Sequence, residues 1–468
     1  MPINVVRLRD MKLLRRDALE PEVIEDVTKY FHRTQRQNWE AFESSLVEIV
    51  ESHTKYAILS HRWEKDELDY TKAKALPQNF LQRRFKSQGR EKIRKFCEQA
   101  SQYSCDYVWF DTGCIDKSSS SELEESIRSM FNWYRNSEIC IVYLAGTKSM
   151  LDPHKKDDWF KRGWTLQELL APPRMKFFNS DWTPTTSSQY DIDRTTTLTR
   201  RVPEFSVRLS AASGIYPVER LHNYVPGVEQ AREVLHWASA RQTTRPEDMA
   251  YCLIGLLNLE LSVAYGEGYP TAFYRLQVEV MRRTEDRGLF FWSGSPSSHS
   301  SMLAATVFGF RQPVPWSDDG VRSDGYYSAC LDRDPTITLT NCGIRMSIPL
   351  YSVELDPTTR NTSRKTTGGR TYSLVLWVPG LGCRANIQIW FHREVKASEI
   401  RQDWAIGLLG SAYITRKQHS TFLPILLTRG SESSSQRYVR LFTDRFLLEI
   451  NIERDNPTLK EPEVIYIK

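Results

Sequence analysis

No stretch of this 468-residue sequence approaches the roughly 20 consecutive apolar residues of a membrane-spanning helix. The opening residues, Met1 to Asp10, also lack the uninterrupted apolar core of a secretory leader. These absences set the expectation of a cytoplasmic chain without a membrane span. The eight cysteines recur at no paired metal-ligand spacing, and neither do the histidines. The thiols therefore read as reduced and buried, and no metal or resident cofactor is expected. A phosphate-cradling Gly-x-x-x-x-Gly-Lys-Ser/Thr loop is missing, as is any repeat array, which excludes an ATP-driven receptor within these residues. Charge of one sign is scarce: 63 basic against 58 acidic residues, a net +5, argues against a nucleic-acid or membrane-surface partner. Aromatics are plentiful, at 12% with 13 Trp, which fits large cores, and the length calls for two or three domains.

Hydrophobic patterning divides the chain. Residues 1–55 hold a strand-like run, Asn4 to Leu8, and a charged helix-prone stretch, Pro21 to Glu51; we take them as a lead-in. From Tyr56, four short apolar runs predict strands: Tyr56–Ser60, Tyr107–Phe110, Ile139–Leu144 and Met175–Phe178. Near-continuous apolar strands belong to a sheet covered on both faces. Between them, Ile93, Phe96, Cys97 and Ala100 share one helical face. Leu123, Ile127, Met130, Phe131 and Tyr134 share another, with Ser121 and Glu124 at capping-box spacing. The expected fold of residues 56–190 is thus α/β, a doubly wound parallel sheet. Residues 191–295 read as a helical extension, entered through a Thr/Ser/Arg-rich connection (Thr183–Arg201) and containing a helix start at Thr244 to Glu247, a turn at Tyr265–Gly268 and a helix from Tyr269 to Arg283. After a Ser/Pro-rich boundary at Ser293–Ser301, residues 300–468 alternate in strand fashion and predict an antiparallel β domain, with mobile loops at Arg360–Arg370 and Arg429–Gln436.

In a doubly wound sheet, ligands bind outside the carboxyl ends of the strands. That brings together Ser60-His61-Arg62-Trp63, the loop Asp111 to Asp116, and the segment after Leu144. The last of these ends in a short helix, introduced by Asp157 and Asp158 and stopped by Pro172 and Pro173. At about 100° per residue, Leu166, Leu169 and Leu170 take one side, while Trp164 and Glu168 sit together on the other. An indole beside a carboxylate off the core face suggests the wall of a cleft; packing against a neighbouring module accounts for the same spacing. Arg62 and His61 suit the phosphates of a dinucleotide or a plain surface turn. Asp111 suits a ribose hydroxyl or a cap, and Asp116 a cap. Cys114 and His61 lie on converging loops and permit a Cys/His nucleophilic pair, although no orienting third residue accompanies them.

Three segments in this order, Tyr56-Ala57-Ile58-Leu59-Ser60-His61-Arg62-Trp63, Tyr107 to Lys117, and Arg162 to Leu169, resemble the signature blocks of the fungal heterokaryon-incompatibility (HET) domain. Thr243 to Trp292 is similar to the extension that follows the domain in many members, and the C-terminal β region to a companion domain in some. Two positions depart from the pattern: Glu64 replaces a Gly, and Gly113 precedes the Cys of the second block. The resemblance implies a TIR-like, flavodoxin-like fold. It also implies that Glu168, four residues after Trp164 on the helix after the third strand, is catalytic in cleaving NAD as substrate. Ser60, His61, Arg62, Trp63, Asp111, Cys114 and Trp164 are the expected substrate-binding residues. Further implied are non-self recognition leading to cell death, a recognition partner, and homo-oligomerisation on activation. The competing class is a non-catalytic assembly module; a Cys/His hydrolase comes after it.

Overall fold

The computed structural model describes residues 1–33, 50, 54–148, 157–196, 203–311, 336–355, 362–366, 369–391, 404–414, 419–429, 437–440, 450–452 and 463–467. They form two compact units that do not follow the compositional boundaries. The first comprises Met1–Pro226, Arg241–Thr244 and Tyr251–Leu256; the second takes Gly227–Ala240, Arg245–Ala250 and Leu257–Lys468.

The first unit is built on seven strands: β1 (Asn4–Arg7), β2 (Lys12–Arg15), β3 (Tyr56–His61), β4 (Tyr107–Trp109), β5 (Ile139–Tyr143), β6 (Arg174–Phe178) and β7 (Ile192–Asp193). Their order is β2-β1-β4-β3-β5-β6-β7. The central four are mutually parallel, and among themselves run in the chain order 2-1-3-4, so strand order reverses between β3 and β5. The expectation of a parallel α/β sheet holds. Helices α1 (Glu20–Arg33), α2 (Tyr70–Lys74), α3 (Gln88–Ala100), α4 (Ser120–Arg135) and α5 (Thr165–Leu170) complete this part. Because β3→β4 and β4→β5 step in opposite directions, right-handed crossovers carry α3 and α4 to opposite faces. Ile93, Phe96, Cys97 and Ala100 of α3 are buried, as are Ile127, Met130, Phe131 and Tyr134 of α4, while Leu123 is half-buried. The cap of α4 is Ser119, whose hydroxyl accepts from the Glu122 amide, rather than Ser121 with Glu124.

The lead-in is part of the sheet. β1 pairs antiparallel with both β2 and β4, and the Asn4 amide donates to the Cys114 carbonyl (3.1 Å) and to Glu122 (2.7 Å). The Thr/Ser/Arg-rich connection is likewise structured over 183–196. Asp191 is buried against Lys176 (3.1 Å) and accepts from the Phe177 amide, which folds β7 back onto β6. Residues 197–202 lie outside the described residues.

The second unit holds the helices Ala231–Ala238 and Tyr269–Arg283, the latter with the bounds its pattern predicts. The expected turn before it is real: Gly266 and Gly268 adopt φ of +99° and +77°, and both amides donate to Glu247. Glu247 thus ties this turn instead of closing a capping box. Ser293–Ser301 is no boundary, since Pro296 bridges Ala304 and Gln277 bonds the Ala304 amide and carbonyl. The C-terminal strands form an eight-stranded and a four-stranded sheet, antiparallel except where Arg437–Arg440 runs parallel to Glu463–Ile467. The supposed mobile loop Arg360–Arg370 contains instead the strand Thr362–Thr366, paired with Gly369–Val378; its β-branched threonines favour extended backbone. Most of Arg429–Gln436 lies outside the described residues.

Candidate functional site

The segment before α5 is pinned by Asp157, whose carboxylate accepts from the amides of Gly146 (2.7 Å) and Trp159 (2.9 Å) and from the Thr147 hydroxyl (3.1 Å). A 3-10 turn, Asp158–Lys161, buries Trp159 and Phe160 and delivers the chain to α5. All six residues of α5 are buried. Two arginines hold its ends. Arg194 donates to the Leu169 carbonyl (2.8 Å), one of those the last turn leaves free, and to that of Pro172 just beyond the helix. Arg241 donates to the Arg162 carbonyl and the Thr165 hydroxyl, each at 3.0 Å.

The spacing that set Trp164 and Glu168 together off the leucine face is thus seen in a helix that is buried all round. Only Trp164, preceding its first turn, is half-buried, and Glu168 is turned inward at 8% exposure. Its carboxylate accepts from Ser60 Oγ at 2.5 Å. Ser60 in turn accepts from the Trp159 indole at 2.8 Å. The Tyr134 hydroxyl, which bonds the Leu59 carbonyl at 3.0 Å, also reaches Glu168. No cation pairs with Glu168 among the described residues. Burial pushes its carboxyl up to about 7; the Ser60 and Tyr134 hydroxyls and the Arg162 charge oppose the rise, and the Asp111 charge adds to it.

The tips of β3 and β4 carry the remaining candidates. Trp63 is 42% exposed, and its indole N–H donates to Asp111 Oδ2 at 2.7 Å. Lys117 Nζ stands 3.8 Å and Arg162 Cζ 5.4 Å from the Trp63 ring. His61 is buried, with Nε2 at 3.8 Å from Glu67 and 4.0 Å from Asp111. Burial, reinforced by Lys92, Arg162 and Lys117, keeps the imidazole neutral, well below its ordinary pKa. Arg62 is exposed and paired with Asp158 at the same rim. Ser60, His61, Trp63, Asp111 and Glu168 thus converge at the carboxyl end of the sheet, near the reversal of strand order.

Cys114 shares no side-chain hydrogen bond with them among the described residues. Its thiol is buried close to Val6, Phe110 and Cys97, and burial pushes it up to about 12. A Cys/His nucleophile is not supported, because burial keeps the thiol protonated. Asp116 accepts from Ser118 as a cap. The two departures from the family pattern have local causes. Glu64 lies 3.6 Å from the buried Lys92, which also pairs with Glu67. A Cβ at Gly113 would meet the Phe110 ring at 2.2 Å. Sequence reasoning missed Trp159, Tyr134, Arg194 and Arg241; each reaches the site through tertiary contacts that leave no local spacing. Among the described residues, no group of three or more His, Cys, Asp or Glu is placed to hold a metal ion. Nor is any described helix long and apolar enough to cross a membrane.

Comparison with known proteins follows the same segment. The family model for heterokaryon incompatibility protein (HET) matches residues 56–156, which include β3, β4 and β5 and end before α5. The vegetative incompatibility protein HET-E-1 of Podospora anserina is 37% identical over 235 residues, 48% of this chain and 16% of that relative. No solved structure matches the chain. Residues 56–156 are accordingly a heterokaryon-incompatibility domain, and the chain spans about a sixth of the length of the relative it matches.

Proposed function

We propose that the first unit is TIR-like and hydrolyses the nicotinamide N-glycosidic bond of NAD or a related nucleotide, with Glu168 as the catalytic carboxylate. One observation carries the reading: a buried carboxylate with no cation paired to it among the described residues, at the carboxyl end of a parallel sheet, accepting from a serine hydroxyl that an indole holds in turn. Breaking the bond leaves positive charge on the ribose, and a carboxylate held in a dry site stabilises that charge strongly. Nicotinamide departs as a neutral ring with the bonding electron pair, so no general acid is required. Water adds to the ribose carbon and gives up a proton, yielding ADP-ribose, nicotinamide and H⁺. Asp111 and Trp63 are the groups nearest the rim that suit ribose hydroxyls and a base. In the cell this reaction would serve the cytoplasmic, self-associating death response to non-self that the HET domain implies.

The acting form of Glu168 is the ionised one, and its carboxyl sits at about 7. Turnover therefore rises with pH through neutrality and falls below it. The test is nicotinamide release from NAD by the full chain, across pH and across protein concentration with crosslinking to report assembly. Glu168→Gln reduces release by roughly 10²–10³-fold while the fold persists. Release that survives in Glu168→Gln would falsify the proposal.

The competing reading, a non-catalytic assembly module, is favoured by the same carboxylate being hydrogen-bonded within the fold. It wins if no nicotinamide appears in any assembly state.

A further inference from the structure

We propose that Arg241 is a positioning residue for Glu168, and that segments 241–244 and 251–256, beyond the 56–156 match, form part of the frame that makes the site work. The inference rests on Glu168 being the acting carboxylate.

Arg241 is completely buried, and no ion pair to it exists among the described residues. Burying an unpaired guanidinium is costly unless it does something that a smaller residue cannot. Its Nη1 spans the start of α5, bonding both the Arg162 carbonyl and Thr165 Oγ1. Thr165 also bonds the Trp159 carbonyl at 2.6 Å. Trp159 then donates through its indole to Ser60, and Ser60 to Glu168. Arg241 is thus the far end of a hydrogen-bond chain that closes on the carboxylate. The helix supplies a second link, because Thr165 and Glu168 lie one turn apart.

Backbone and packing repeat the message. Gln242 donates to the Lys161 carbonyl (2.7 Å) and accepts from the Gly163 amide (2.8 Å). A Cβ at Gly163 would stand 2.6 Å from Thr243 Cγ2 and 3.1 Å from Cys252 Sγ. A Cβ at Gly255 would stand 2.3 Å from Phe131 Cβ on α4 and 3.3 Å from Gln167 Oε1 on α5. The returning segments therefore fit against α5 with no room for a side chain at either glycine. The Nε and Nη2 of Arg241 are buried without hydrogen-bond partners, so its charge is left unquenched within electrostatic reach of Glu168. The other groups facing Glu168 are Asp111 at the tip of β4, Tyr134 on α4, Cys140 on β5 and Arg162 before α5.

The experiment compares the full chain with Arg241→Gln and Arg241→Lys. In Arg241→Gln, kcat for nicotinamide release falls about tenfold with KM held, and the midpoint of the pH–rate profile rises by about one unit, the tenfold change in proton affinity expected on loss of a nearby positive charge. Arg241→Lys restores the midpoint. A lower rate with an unmoved midpoint overturns the proposal, since a merely structural arginine gives that result. If the parent chain releases no nicotinamide, the functional reading fails separately. The proposal is then decided by the difference in thermal stability between the parent and Glu168→Gln as pH is varied, whose midpoint must move up in the Arg241→Gln background. If Arg241→Gln does not fold, Arg241→Lys must show faster amide hydrogen exchange across 162–170; unchanged exchange there sinks the idea.

Discussion

Two regions of one sheet each bury a carboxylate, and they treat it in opposite ways. At the outer edge, Asp191 is fully neutralised: Lys176 Nζ lies 3.1 Å away, and the Phe177 amide with the Thr185 and Thr186 hydroxyls fill its remaining acceptor sites. At the tip of β3, Glu168 meets hydroxyl donors and, among the described residues, no paired cation. The first arrangement is what folding alone asks of a buried anion. The second leaves a negative charge unspent in a low-dielectric setting, as expected of a group kept for a ligand.

The sharpest way to break this contrast is Asp191→Asn. It strands the Lys176 ammonium in the interior and destabilises the first unit by roughly 3–5 kcal/mol in urea unfolding. A loss no larger than that of a surface substitution would erase the distinction. Glu168→Gln goes the other way. The folded chain holds the Glu168 proton up to about pH 7, whereas an unfolded glutamate releases it near about 4.3. Between those values the native state binds the extra proton, so stability falls as pH rises and levels off above about 7. The neutral glutamine removes that slope. The variant is therefore more stable than the parent by roughly 3–4 kcal/mol above neutrality and equal to it near pH 4, read from denaturation midpoints at both ends. Ser60→Ala orphans the Trp159 indole and costs roughly 1–3 kcal/mol. By removing a donor to the ionised carboxylate, it also shifts the acid limb of turnover to higher pH. Smallest of all is Cys114→Ala: about 1 kcal/mol from a small cavity, with nicotinamide release unchanged. A collapse of activity there would revive the thiol.

Much of the first unit was legible because its strands are short, apolar and spaced by amphipathic helices. Ala57 to Leu59 and Ile139 to Val142 declare a sheet buried on both faces. The wheel of α5 was legible only in part. Spacing paired Trp164 with Glu168 at the wall of a cleft, but it did not reveal that Ser60 and Tyr134 wrap the carboxylate on that side. The second unit hid more. His419–Arg429 carries Pro424, which interrupts an apolar run yet sits opposite Leu408 where the register shifts, a place in a sheet that tolerates proline. Trp404–Ile414 is broken up by Gly407 and Gly410, and Gly407 is there because a Cβ would meet Ile348 at 2.4 Å. Arg194 and Arg241 sit in polar stretches where nothing nearby marks them as interior.

The hairpin of β1 and β2 covers the flank of β4, where Val6 stands opposite Val108 and Arg7 opposite Tyr107. A fragment excised at the family boundary, beginning at residue 56, would strip away that cover and offer bare amides and carbonyls to the next molecule in solution. In a protein read as acting by regulated association, those opening residues are a guard against the wrong kind of sticking. Any attempt to study the domain in isolation has to carry them along.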